Sequence, residues 1–301
     1  MEQQLDLSQS GRMRGHLAML AFSGLVAGSF SLGSMVANDI APATLNAVRF
    51  LIAFLVTGAI AMAMGALNRA MLRAPWRYLV LGGLFAIYFV LMFEGLKTAP
   101  AVSSAAVFTL APLMSAAFGW ILMRQVTTPW MGAALAVGGL GAIWVIFRAD
   151  LNALLAFRVG RGEAIFFFGV IAHALYTPLI RVLNRGEAPI GFTVGMIAAG
   201  FLVLTVWGWS DIRATDWMNL RLMVWLTIGY TSIFAGSTTF FLVQYATLHL
   251  PSAKVMAYTY LTPSWVIIWE ISLGHGVPPV LVLAGVALTI VALMMLLKHE
   301  D

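Results

Sequence analysis

Few residues in this chain have side chains that could do chemistry, and several of them fall inside long apolar runs. An ionisable group at the centre of a bilayer costs about 2.5–3.5 kcal/mol on the insertion scale, so such groups are the first to question. Glu94 has Lys97 three residues on, a spacing that permits an ion pair on a helix. Glu270 has no opposite charge within a turn, so it is open to three roles: pairing with a substrate ammonium, taking a proton, or sitting at the interface. His173 is followed one turn later by Tyr176 and Thr177, and then by Pro178. It is either a buried, hydrogen-bonded histidine or part of a cavity wall. Arg49 falls near one end of its apolar run and is expected to snorkel to the surface.

Hydroxyls and aromatic rings cluster around these groups. One run carries Ser237, Thr238, Thr239, Gln244 and Tyr245, and the next carries Tyr258, Thr259, Tyr260 and Thr262, then Trp265 and Trp269. Tyr78 and Tyr88 lie on an earlier run. An apolar cavity with a few hydroxyls and aromatic faces suits an amphipathic organic solute. The expected cavity residues are Tyr78, Tyr88, Thr109, Pro112, His173, Tyr176, Gln244, Tyr245, Tyr258, Thr259, Pro263 and Trp265, with Glu94 and Glu270 as a proton or ammonium site. Phosphates fit poorly, because no cluster of Arg or Lys reaches the apolar runs. Hydrolase, zinc-protease and nucleotide-loop signatures are missing, and the histidines lack metal-ligand spacing. The expectation is a non-enzyme without metal or cofactor.

Two stretches explain how such residues would be positioned. A-P-A-V-S-S-A-A-V-F-T-L-A-P runs from Ala99 to Pro112, and L-P-S-A-K-V-M-A-Y-T-Y-L-T-P runs from Leu250 to Pro263. Pro100 and Pro251 suit a first helical turn, where a missing N–H costs nothing. Pro112 and Pro263 follow about 18 Å further on at 1.5 Å per residue. Each removes a backbone hydrogen bond and frees the carbonyl four residues back, at Phe108 and Thr259. In lipid such breaks survive only where protein or a water-lined cavity satisfies them. Matched interruptions in two halves point to a transporter's binding site.

Composition sets the environment. The chain is 61% hydrophobic and 10% charged, against about 25% charged in a soluble domain. Several runs reach the roughly 20 residues needed to cross a bilayer. With no cysteine, disulfides and thiolate chemistry are excluded. The net charge of +5 does not imply nucleic acid, because Lys and Arg fall at the ends of the runs. The first run shows no cleavage pattern and is expected to stay.

The chain reads as an all-α integral membrane protein of ten helices. They lie near 16–36, 43–65, 75–97, 100–123, 128–147, 162–183, 189–209, 219–247, 251–273 and 278–298. Short connections such as Asn68-Arg69 and Asn184-Arg185-Gly186 join them. The halves, 1–150 and 151–301, repeat each other: Ala41-Pro42 and Ala188-Pro189 open equivalent helices, as Gly15 and Gly162 do. Five spans per half is odd, so the halves insert in opposite directions around a central cavity. The distribution of Lys and Arg, with Arg69 and Lys254 counted inside, favours cytoplasmic termini. Small residues at Gly24, Gly28, Gly132, Ala136, Gly138, Gly139 and Gly141 mark close helix approaches. They are expected within a monomer rather than at a dimer seam.

A-V-S-S-A-A-V-F-T-L-A-P-L-M-S-A-A-F-G-W-I-L-M resembles the EamA-type members of the drug/metabolite transporter superfamily. So does A-V-R-F-L-I-A-F at Ala47 to Phe54, including its Arg49. More narrowly, the chain resembles the YddG group of aromatic amino-acid exporters. The resemblance implies a helical basket in the bacterial inner membrane that exports amino acids, aromatic ones foremost, by alternating access. It also implies that the fourth and ninth helices line the middle while the fifth and tenth pack away from it. The family's Gly-Glu after the fourth and ninth helices is replaced here by Arg124-Gln125 and Gly274-His275, so no role passes from that Glu. A drug or other metabolite exporter is the alternative. A membrane enzyme or structural subunit is the alternative from another class.

Overall fold

The structure, a computed structural model, describes residues 2–67, 73–247, 250 and 252–298. Side chains are described from residue 11 onward, apart from positions 240, 244, 247 and 252–254. Asn68, Arg69 and Pro251 therefore lie outside the described residues, as do the side chains of Gln244 and Lys254.

No strand occurs among the described residues. A backbone in lipid must satisfy its own polar groups, and the helix does so within one segment. The long helices are α1 (Glu2–Val36), α2 (Pro42–Ala63) and α3 (Trp76–Leu96), then α4 (Ala101–Phe108) continued by α5 (Ala111–Met123), and α6 (Pro129–Ile146). A short α7 (Leu151–Leu155) crosses the middle of the chain. Next come α8 (Arg161–Leu183), α9 (Pro189–Trp207) and a short α10 (Trp209–Ala214). Then α11 (Leu222–Ser232) passes through a π segment (Ile233–Thr238) into α12 (Thr239–Thr247). Finally α13 (Ser252–Ala257), a 3₁₀ turn (Tyr258–Leu261) and α14 (Thr262–Ser272) precede α15 (Val280–Lys298).

Among the described residues, nine helices are long and apolar enough to cross a membrane. The tenth expected span, near 251–273, corresponds to α13 through α14 and is not among the nine. Its tyrosines, threonines, Ser264 and Glu270 make it more polar than the others. Prolines start α2, α6 and α9. In α6 the hydroxyl of Thr128 also accepts from the Met131 N–H at 3.2 Å, a conventional N-cap. Outward faces carry Leu55, Leu140, Phe168, Leu202 and Met294, all more than half exposed, as a lipid-facing surface requires.

Both proline breaks form. Pro112 is the second residue of α5, and Leu110 N–H turns back to the Val107 carbonyl at 3.1 Å. Thr109 Oγ1 donates to the Ala106 carbonyl at 2.7 Å. In the second copy Pro263 is likewise the second residue of α14, and Thr259 Oγ1 donates to the Met256 carbonyl at 2.8 Å. The Thr259 carbonyl that Pro263 leaves free is taken by the Thr262 N–H.

The packing has two-fold character. α1 packs on α12 and α14, just as α8 packs on α3 and α5. α3 meets α9 as α11 meets α2, while α2–α9, α4–α14 and α6–α15 complete the set. Exchanging the long helices of the first half, in order, for those of the second leaves this set unchanged.

Glycines permit the closest contacts. A Cβ on Gly141 of α6 would lie 2.6 Å from the Gly285 carbonyl of α15, and one on Gly285 would lie 2.7 Å from the Gly141 carbonyl. Both partners are backbone, so neither can yield. Gly138 faces the Tyr260 ring, Gly24 faces Trp265 and Gly28 faces Tyr230. These small residues are consumed by contacts within the chain. We expect Gly141→Leu to lower the melting temperature in detergent by an amount equivalent to about 1–3 kcal/mol of overpacking. Gly132→Leu, at a position where an added Cβ meets nothing within 4 Å, should leave it unchanged.

Candidate substrate cavity

A cavity of about 120 Å³ opens inside the helical basket, with room for on the order of ten waters. Its walls come from regular helical spacing. α1 supplies Phe22, Val26, Ser29 and Phe30, and α3 supplies Phe85, Tyr88, Phe89 and Met92. Both sets follow the three- and four-residue steps that put side chains on one helix face. α2 adds Arg49 and α8 adds His173. Phe108 comes from the last position of α4, immediately before the break. Ala235 of the π segment and Thr239, which opens α12, close the far side. A π turn within an α-helix is uncommon and is found most often at functional sites.

Rings dominate this lining. Tyr88 lies 4.7 Å from His173 and 4.6 Å from Phe89, centroid to centroid. Phe85 meets Phe89 at 4.8 Å, and Phe108 meets His173 edge-on at 5.3 Å. The guanidinium carbon of Arg49 stands 3.7 Å from the centroid of Phe89. Ser29, Thr239, Tyr88 and His173 add polar atoms, and among the described residues no carboxylate lines the cavity. The Nδ1 of His173 is buried with no hydrogen-bond partner among the described residues.

Of the residues expected from sequence, Tyr88 and His173 line this cavity. Tyr176 stands behind the wall, stacked on Phe85 at 4.9 Å and donating to Met196 Sδ at 2.8 Å. Tyr78 is buried at the start of α3 against Phe192. Pro112, Thr109, Thr259 and Pro263 are buried in the two breaks, outside the lining. Tyr258 bonds to His16 at 2.8 Å, and Trp265 Nε1 donates to Ser23 Oγ at 3.0 Å. Tyr245 lies on an exposed face, and the side chain of Gln244 is outside the described residues. Glu94 pairs with Lys97 at 2.6 Å, and Glu270 pairs with His275 at 2.9 Å where α14 ends. Neither acid reaches the cavity lining.

Arg49 departs most from expectation. It does not snorkel; it is 3% exposed. Leu45, Asn46, Arg49, Phe50, Ala53 and Thr57 form the buried stripe of α2, whereas Leu51 and Leu55 face outward. The helix therefore turns Arg49 inward. The phenylalanines were also not anticipated. In helices that are apolar all round, a Phe lining a cavity has the same sequence signature as a Phe in the core.

Two ion pairs stand apart from the cavity. Arg77 at the start of α3 donates to Glu187 Oε1 and to the Leu183 carbonyl, both at 2.6 Å, tying α3 to the α8–α9 connection. Its side chain is 1% exposed and that of Glu187 9%. Arg221, just before α11, donates its Nε to Asp39 Oδ2 at 2.8 Å and an Nη2 to the Met35 carbonyl at 2.8 Å. These contacts tie α11 to the α1–α2 connection. Here the side chains are 62% and 27% exposed. The two clasps occupy exchange-equivalent positions: third helix to the connection after the sixth, and eighth helix to the connection after the first.

The Arg77 hydrogen bond is the main reason the Glu187 carboxyl falls from its ordinary value to about 2. A depressed carboxyl stabilises the fold above its ordinary range and loses that contribution as pH falls through its folded value. We expect Glu187→Gln to cost about 3 kcal/mol, as for a broken buried pair. In detergent melts the gap to wild type should hold from about pH 8 to pH 5, then close as pH falls toward about 2.

Comparison with known proteins agrees with this architecture. The chain is 24% identical over 266 residues to the Uncharacterized transporter YyaM of Bacillus subtilis (strain 168), covering 87% of this chain and 86% of that protein. A protein crystal structure superposes with a TM-score of 0.67 at 20% identity, covering 95% of this chain and 96% of that one, which supports the fold alone. The profile of the EamA-like transporter family matches twice, over residues 13–147 and again over 160–298. A helical membrane chain whose two halves each match that profile belongs to the EamA-like transporter family.

Proposed function

We propose that the protein is a secondary transporter that exports small amphipathic metabolites, aromatic amino acids foremost, by alternating access between residues 1–150 and 151–301. It works as a monomeric carrier in the bacterial inner membrane, with both termini cytoplasmic, and not as an enzyme. One observation carries the reading: an aromatic cavity walled by both halves, with an exchange-equivalent clasp at each of two ends.

The clasps also support opposite insertion of the halves. Suppose α1 runs upward and α2 downward. Then α3 begins below, and the Arg77–Glu187 pair draws the end of α8 to that same side. The sixth helix therefore descends where the first ascends. Independently, the Arg221–Asp39 pair draws the start of the eighth helix to the upper side, opposite the start of the third. Positively charged ends assign the Arg77 side to the cytoplasm.

The inequality of the clasps supports alternation. The Arg77 clasp is buried, and the Arg221 clasp is in reach of water. In a two-state carrier built from equivalent halves, the buried clasp is the closed gate and the exposed clasp is the looser one. Rocking the halves exchanges those roles.

The native chain has no cysteine, so each clasp can be bridged cleanly. Arg221→Cys with Asp39→Cys, joined by a short thiol cross-linker in liposomes, is expected to stop net flux that the uncross-linked variant retains. Arg77→Cys with Glu187→Cys should do the same. Undiminished flux with both bridges in place would reject alternation. A competition screen of labelled amino acids in the same liposomes tests the cargo: aromatic amino acids should compete best, and flux of none of them would reject that assignment.

A further inference from the structure

Resting on the reading of the cavity as the transport site, we propose that Arg49 is its anion-binding group. The solute it selects is an aromatic monocarboxylate, recognised by ring and carboxylate and not by an amino group.

Among the described residues, Arg49 is a buried cation without a counter-charge. Its guanidinium stays charged in proteins and carries five donors. It forms no ion pair among the described residues, and its Nη1 is buried without any hydrogen-bond partner. The face of Phe89 at 3.7 Å compensates part of the lost hydration, yet a ring accepts no conventional hydrogen bond. By contrast, the buried Arg77 is paired with Glu187 and three backbone carbonyls. An ionised group held inside a membrane basket, facing a cavity and unpaired, is a site awaiting its partner. A guanidinium fork matches a carboxylate in two parallel hydrogen bonds.

The rest of the lining narrows the class. Phe30, Phe85, Phe89, Phe108 and Tyr88 surround the space with ring faces and edges, the geometry an aromatic ring packs against. A volume of about 120 Å³, against about 150 Å³ for a cavity that holds benzene, leaves room for no more than one ring. Among the described residues no carboxylate lines the cavity, so an ammonium group finds no opposite charge there. A doubly charged anion would leave one charge unmatched. The described lining thus matches one ring and one carboxylate and offers an amino group no partner.

The test uses the full-length protein in detergent and in liposomes, with phenylacetate, L-phenylalanine and phenethylamine as probes. Phenylacetate is expected to raise the melting temperature and bind at least as tightly as L-phenylalanine, while phenethylamine has no effect. Arg49→Gln should weaken phenylacetate at least tenfold, and Arg49→Lys, which keeps the charge but loses the fork, by less. If Arg49→Gln does not fold, Arg49→Lys carries the test, because unchanged phenylacetate affinity in it removes the fork from recognition. Phenethylamine binding as tightly as phenylacetate overturns the proposal, as does no response to phenylacetate. Ala235→Phe, which fills the far wall, separates the two readings. Phenylacetate binding that survives Ala235→Phe rejects the cavity itself. Binding lost in Ala235→Phe but kept in Arg49→Gln rejects only the anion subsite.

Discussion

Backbone-to-backbone contact at glycine is the interaction on which this architecture depends. Gly141 and Gly285 bring α6 against α15, Gly82 meets Gly200 across α3 and α9, and Gly95 meets Gly162 across α3 and α8. Each pair joins a helix of the first half to one of the second. Lipid tails are as apolar as leucine, so no hydrophobic force drives helices together within a membrane. Association comes from close van der Waals packing, and small residues allow it. Where the helices touch this tightly the halves are fixed in register. Side chains of α1, α2 and α3, most of them aromatic, line the hollow that remains.

That hollow lies beside broken or rewound helices rather than intact ones. Phe108 contributes its ring from the turn where α4 stops and α5 begins, and Ala235 and Thr239 come from the π segment and the residue after it. At the second break the Thr262 N–H takes up the Thr259 carbonyl, and beside the two breaks threonine hydroxyls bond to the Ala106 and Met256 carbonyls. Two helices that are locally rewound can change shape at low cost compared with two that are fully bonded.

Much of this was readable from composition and spacing. Apolar runs near 20 residues and the matched prolines suffice for the helices and their breaks, because a bilayer leaves the backbone few alternatives. The site was less legible. A search for polar and aromatic residues near Pro112 and Pro263 finds Thr109, Thr259, Tyr258 and Trp265, which the fold spends on capping the breaks and packing α1. Tyr88 and His173 do reach the cavity. Phe85, Phe89 and Phe108 were hidden because in a uniformly apolar helix no periodicity marks the inner face. Distance along the helix alone puts Arg49 at the surface. Its place on the stripe shared with Asn46 and Phe50, visible only once α2 is packed, decides its fate.

The unequal burial of the two clasps has a consequence for the medium the protein works in. Exposed charges are screened over about 8 Å at physiological ionic strength, whereas buried pairs are shielded from mobile ions. Arg221 and Asp39 therefore feel the electrolyte on their side, and Arg77 and Glu187 do not. Ionic strength thereby bears on how firmly α11 is held to the α1–α2 connection and leaves the hold of α3 on the α8–α9 connection largely unaltered.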